Sequence, residues 1–344
     1  MLLLLATVVA VVLGAAATAL AASPSPSDSA KGEFAKSDMD FAGPLDIGGG
    51  REMYMECRGK GHPTVVFVAG GGDRAETWSK TLDPSEQAVL PAIAETNRVC
   101  AYDRPGTFLA VGAGAEDFLP SRSDPVPQPT TLQDGVDDLH ALLDVSGERA
   151  PYVLVGHSIG GAIAELYASE YPRGVSGLVL VDYIPYGMRK GLTDEEWNLW
   201  LTTPLSGKPS EEALAIYPDL ERYDHQLNLQ QALAAPLEPM PLIVLSSVKP
   251  IDLTSLVDAG QVPADVAEQF AKDLFEAILQ ARADVVSQVP GARHITTDSG
   301  HYIHQEQPRL VIDSVREVAE AARHKTCALG VKNYGRCIKT LNHQ

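Results

Sequence analysis

The chain has 344 residues, 45% of them hydrophobic and 21% charged, a balance that fits a packed globular protein and excludes a disordered chain or a small disulfide scaffold. Lys and Arg number 27 against 45 Asp and Glu, a formal charge of −18. So acidic a surface repels phosphate backbones and argues against nucleic-acid partners and against docking on anionic membranes.

Residues 2–22 are almost wholly apolar, broken only by Thr7, Gly14 and Thr18. The polar, Pro-rich run Ser23-Pro24-Ser25-Pro26-Ser27-Asp28 follows and cannot continue a helix. Small residues at Ala19, Ala21 and Ala22 suit cleavage, so residues 1–22 read as a signal peptide and the protein as secreted or extracytoplasmic. No Lys or Arg precedes the apolar run, and its 21 residues could span a bilayer. An uncleaved signal anchor, with membrane attachment through it alone, is therefore the alternative. Residues 23–43 read as a flexible mature N-terminus.

From residue 44 onward short β-branched runs alternate with helical patterns. Strands are predicted at Thr64–Ala69, Arg98–Tyr102, Tyr152–Val155, Leu178–Val181 and Leu242–Leu245, with helices over Thr131–Val145 and Gly160–Tyr171 between them. Unbroken apolar runs of this length fit a mostly parallel sheet covered by helices on both faces. That gives an α/β core over residues 44–187 and 241–325. Leu109–Thr130 is rich in Gly and Pro and reads as a long loop. Residues 188–240 form a charged, helix-prone insertion, read as a small helical cap, with Trp197, Trp200, Tyr217 and Tyr223 available to pack it or to line a cavity.

Residues 326–344 are the tail. There Cys327 and Cys337 could close a small ring by a disulfide. Cys57 and Cys100 sit in or beside predicted strands, where buried free thiols are at least as good a reading.

The strand at Tyr152 runs straight into Gly156-His157-Ser158-Ile159-Gly160-Gly161 and a small-residue helix. A strand-to-helix turn this tight strains its central residue and tolerates only Gly beside it. It lifts the Ser158 hydroxyl above the carboxyl edge of the sheet and sets the Ile159 amide at a helix N-terminus, where a developing oxyanion is favoured.

With these residues the chain resembles the α/β-hydrolases, over roughly residues 59–323 apart from the cap. Gly70-Gly71-Gly72 stands where that family keeps its second oxyanion donor, with Ala69-Gly70 replacing the usual His-Gly. Gly71 is the expected donor and Gly72 the next choice. Tyr102-Asp103-Arg104-Pro105-Gly106 is similar to the family's turn after its next strand, and Asp298-Ser299-Gly300-His301-Tyr302-Ile303-His304 to the loop carrying its histidine. The resemblance implies Ser158 as nucleophile and His301 as general base; His304, three residues on, is read as starting or capping the last helix. His157 lies inside the elbow with its side chain turned away from the nucleophile, and His140 within a helix. Of three candidate acids, Asp182 directly after its strand is preferred over Asp252 and Asp258, because the loop after Leu245 lacks the family's Gly-x-x-Asp turn.

The implied activity is hydrolysis of a small-molecule carboxylic ester or amide through an acyl-serine, with no metal or organic cofactor. Two alternatives stay open. One is a proline-type aminopeptidase using cap acids such as Glu195, Glu196, Glu211 and Glu212 to hold an amine. The other is a binding protein that retains the fold without turnover.

Overall fold

The computed structural model describes residues 39–111, 118–203, 209, 211–232, 236–258 and 260–328. The apolar N-terminal segment, Cys337 and the side chain of Cys327 lie outside them, and with them the ring expected in the tail. Among the described residues no helix is long and apolar enough to cross a membrane.

Eight strands form one sheet: β1 (Phe41–Gly48), β2 (Arg51–Arg58), β3 (Val65–Val68), β4 (Val99–Tyr102), β7 (Tyr152–His157), β8 (Val175–Val181), β9 (Leu242–Ser247) and β10 (Arg293–Thr297), in the order β1-β2-β4-β3-β7-β8-β9-β10. β1 pairs with β2 and β2 with β4 antiparallel; all other pairings are parallel. β5 (Phe108–Ala110) and β6 (Phe118–Pro120) make a separate hairpin inside the stretch expected to be a loop.

The helices are α1 (Val89–Ala94), α2 (Leu132–Ser146), α3 (Ile159–Glu170), α4 (Asp194–Thr202), α5 (Glu211–Ile216), α6 (His225–Ala232), α7 (Thr254–Asp258), α8 (Ala264–Gln288), α9 (Ile303–Glu306) and α10 (Pro308–Ala328).

The buried strands are apolar on both faces because each face has its own core. Val66, Val68, Leu154, Leu178 and Leu180 pack into one with residues of α2, α3 and α8. Their neighbours Val65, Phe67, Val153, Val155, Val179 and Val181 pack into the other against α1 and α10. α2 shows how local sequence sets the boundaries. Asp134 N–H donates to the Thr131 hydroxyl at 3.1 Å while the Asp134 carboxylate accepts Thr131 N–H at 2.8 Å, and Gly147 ends the helix at φ 73°.

Three expectations need correction. The sheet begins at Phe41, inside the stretch read as flexible to residue 43, because Phe41 pairs opposite Cys57. β1, β2 and β10 join the five predicted strands; β10 is largely polar and half-exposed and carries no apolar run to betray it. Finally, Cys57 and Cys100 are disulfide-bonded rather than free. They face each other across the β2–β4 ladder with Cα atoms 4.1 Å apart, a register that depends on pairing two strands 43 residues apart. Closing a loop of that length is worth about 4 kcal/mol in the chain-entropy model. Urea denaturation of the Cys57→Ser/Cys100→Ser variant should show a loss of that order, and a change below about 1 kcal/mol would mean the bridge contributes little.

Between β8 and β9 the chain runs through a 3-10 turn (Tyr186–Gly191) and α4, α5 and α6, and its Tyr186, Met188, Trp197 and Trp200 join the first of the two cores. Trp197 and Trp200 stack at 5.2 Å and are buried there.

Candidate active site

β3, β7, β8 and β9 all end at one edge of the sheet, and register holds His157 beside Val181 and Val181 beside Leu245. Whatever follows these strands therefore gathers at a single place. Ser158 follows β7 with φ 52° and ψ −126°, a strained conformation for a residue with a side chain. Its hydroxyl makes no capping bond to α3, so it is not used as a helix cap. The glycines around it have steric causes. A Cβ on Gly156 would sit 2.5 Å from Gly161 Cα, one on Gly161 2.3 Å from Tyr183 Cβ, and one on Gly160 2.1 Å from the Ala69 carbonyl oxygen. The last contact seats the elbow directly on the Gly70–Gly72 loop.

Asp182 follows β8 at φ 41°, its N–H donating to Leu245 O at 2.8 Å. Its Oδ1 accepts from Ser247 N–H at 3.0 Å and from Arg282 Nη1 at 2.6 Å, and its Oδ2 lies 2.7 Å from His301 Nδ1. Burial alone would raise this carboxyl; the Arg282 guanidinium, His301 and the Ser247 amide overcome it and hold it at about 2. An ionised carboxylate can only accept, so the proton between the two lies on His301 Nδ1, which leaves Nε2 as the basic nitrogen of the neutral ring. The other two candidate acids are elsewhere. Asp252 reaches the rim of the cleft, but its Oδ1 accepts from Thr254 N–H and Thr254 Oγ1 at 2.9 and 2.6 Å at the start of α7. Asp258 is exposed at the end of that helix.

The His301 loop is pinned from behind. Ser247 Oγ donates to Ser299 O at 2.5 Å, Gly300 N–H donates to Glu306 at 2.8 Å, and His157 Nε2 donates to the His301 carbonyl at 3.0 Å. His157 thus turns away from Ser158, and burial together with His304 and His301 keeps its ring well below the usual imidazole range. His304 lies in the short helix α9 before the last one, buried against Trp78 with Nε2 3.2 Å from the Thr77 hydroxyl; burial and His301 lower it to about 3.

Two backbone amides belong to residues that line the same cleft. Ile159 is the first residue of α3, so its N–H has no acceptor within the helix. Gly71 is exposed beside Ser158 and Ile159, whereas Gly72 N–H is committed to Glu221 Oε2 at 2.8 Å. Ser158, Ile159, Gly71, Asp182 and His301 line one cleft of about 530 Å3. Its other wall is mostly apolar, with Ile184, Trp200, Ile251, Phe275 and Ile278, and includes Tyr223 and His225. Of the insertion's aromatics, Trp200 and Tyr223 line this cleft while Trp197 and Tyr217 do not. Nor do Glu195, Glu196, Glu211 or Glu212.

Arg282, Ser247 and Glu221 escape the sequence reading. Arg282 leaves one trace: it follows Ala277, Ile278 and Ala281 on the buried stripe of α8, where a lone cation demands a buried partner. Nothing local marks Ser247 or Glu221.

The model of the alpha/beta hydrolase family matches residues 65–314. An uncharacterized protein from Bacillus subtilis is 26% identical, with 79% of this chain and 89% of that protein covered. A probable transporter from Hormonema carpetanum is 30% identical over 84% of this chain, which spans only 44% of its length. A solved structure of a probable hydrolytic enzyme from Pseudomonas aeruginosa matches with TM-score 0.49 and 19% identity, over 81% of this chain and 93% of that one. With the family model covering most of its length, and with an eight-stranded, mostly parallel sheet between two helical layers, this chain belongs to the alpha/beta hydrolase family.

Proposed function

We propose that the protein is a serine hydrolase of carboxylic esters. One observation carries the reading: the strained Ser158 lines the same cleft as His301, whose Nδ1 is held 2.7 Å from an ionised Asp182. Ser158 Oγ attacks the ester carbonyl carbon as its proton passes to His301 Nε2. The carbonyl electrons move onto oxygen, which takes hydrogen bonds from the Ile159 and Gly71 amides. Collapse expels the alcohol, protonated by His301, and leaves acyl-Ser158. Water, deprotonated by the same ring, then releases the acid and restores Ser158.

An ester with an apolar acyl or alcohol portion fits the cleft better than a peptide with a free amino end. The insertion's exposed glutamates stay out of it, and Glu221 is already bound to Arg104. Export fits the Cys57–Cys100 bridge, since disulfides persist in oxidising compartments. N-terminal sequencing of protein recovered outside the cell would detect cleavage near residue 22.

A fluorophosphonate probe should label the purified protein, and Ser158→Ala should abolish both the labelling and the hydrolysis of short p-nitrophenyl esters. A folded wild-type protein that neither labels nor turns over such esters would end this reading and favour a binding role.

A further inference from the structure

We propose, on the footing of the oxyanion role just given to Gly71, that Arg104 clamped by Glu221 is the positioning residue that turns the Gly71 amide toward the cleft. Arg104 is buried and donates from Nη1 to Ala69 O and from Nη2 to Gly70 O, both at 2.7 Å. The Gly70 carbonyl and the Gly71 N–H belong to one trans peptide group, so they point in opposite directions. Binding that carbonyl on the Arg104 side therefore aims the N–H at the side where Ser158 and Ile159 lie.

Glu221, 4% exposed, completes the clamp: its Oε1 accepts from Arg104 Nε at 2.8 Å and its Oε2 from Arg104 Nη2 at 3.1 Å. The same Oε2 takes the Gly72 N–H at 2.8 Å, removing the neighbouring amide from competition for the substrate oxygen. One guanidinium and one carboxylate thus bind the backbone on both sides of the donor.

The clamp also joins two distant parts of the chain. Arg104 comes from the turn after β4, and Glu221 lies between α5 and α6, in the stretch that separates β8 from β9. Glu221 N–H donates to Gly106 O at 2.9 Å, and a Cβ on Gly106 would meet Asp219 O at 2.4 Å. The Arg104-Pro105-Gly106 turn and the insertion are therefore in direct backbone contact. The insertion does more than wall the cleft: through Glu221 it sets the geometry of a catalytic donor.

The test compares a p-nitrophenyl ester with its thionoester, in which the carbonyl oxygen is replaced by sulfur, for wild type, Glu221→Gln and Arg104→Lys. A thiolate-like anion gains little from hydrogen-bond donors, so the oxygen-to-sulfur rate ratio reads the donor geometry, which general loosening of the fold would leave unchanged. In both variants kcat for the oxygen ester should fall about 10- to 100-fold with KM within about threefold, and the ratio should fall with it. If either exchange unfolds the protein by stranding a buried charge, the paired Arg104→Met/Glu221→Leu variant, which strands none, carries the same expectation. Folded variants that keep the wild-type ratio overturn the proposal. A wild type that turns over neither ester and resists fluorophosphonate labelling overturns the serine-hydrolase reading instead, and this proposal falls with it.

Discussion

Asp182→Asn is expected to lower kcat on a p-nitrophenyl ester by about 10⁴-fold while leaving the cleft intact. An amide nitrogen facing His301 Nδ1 would donate where the carboxylate accepts, moving the ring proton to Nε2 and removing the lone pair that takes the Ser158 proton. The exchange should also cost stability, because it leaves Arg282, 3% exposed, beside a neutral partner; removing one member of a buried pair typically costs about 3–5 kcal/mol. Urea denaturation run beside the kinetics separates the two effects. Asp252→Asn should change turnover less than about twofold, its carboxylate being occupied with Thr254 rather than with the imidazole. Retention of more than a tenth of wild-type turnover by a folded Asp182→Asn protein would remove this residue from the mechanism.

The second large effect is the shape of stability against acid. His157 and His304 resist protonation in the folded state but not in the unfolded chain. Each therefore destabilises the fold as pH drops below about 6.5, by about 1.4 kcal/mol per pH unit. Burial acts oppositely on two carboxyls, raising Asp73 to about 6 and Glu165 to about 7. Folded protein holds protons on these two that the unfolded chain releases, so each adds stability as pH falls toward about 4. Two groups of each sign leave stability nearly level between about pH 6 and 4.5.

Below pH 4 the carboxyls are protonated in both states and no longer offset the imidazoles, while Asp182, held at about 2, joins the loss. Asp182 then acts in the same direction as the two imidazoles, and stability should fall steeply as pH drops toward 3. Denaturation midpoints at pH 7, 5 and 3.5 would show a plateau and then a drop. A steady decline from pH 6.5 would contradict this, and Asp73→Asn should convert the plateau into such a decline by removing one of the offsetting carboxyls.

The elbow was readable because its signature is local, even where its cause is not. Gly156, Gly160 and Gly161 lie within three residues of Ser158, but only the Gly156 clash arises inside the turn; Gly160 is required by the Ala69 carbonyl and Gly161 by Tyr183. The strands apolar on both faces were readable because burial on two sides leaves the middle of each run without a polar position. β10 was not, because its outward positions are polar and its pairing comes from β9, about 50 residues earlier. The disulfide escaped likewise: two cysteines in separate strands say nothing about whether those strands are neighbours in register.

From its own sequence this protein determined the sheet of its core, the turn that exposes one serine, the late histidine loop and three candidate carboxylates. Only the tertiary structure shows which of those carboxylates lies beside the late histidine. Asp182 sits beside His301 because β8 and β10 flank β9 at one edge, and its charge survives burial because Arg282 arrives from α8, 100 residues away. The clamp of Arg104 and Glu221, 117 residues apart, has the same character. Such partners are fixed by how elements pack rather than by any local spacing, since a buried charge is tolerated wherever the fold delivers its counter-ion, from any distance along the chain.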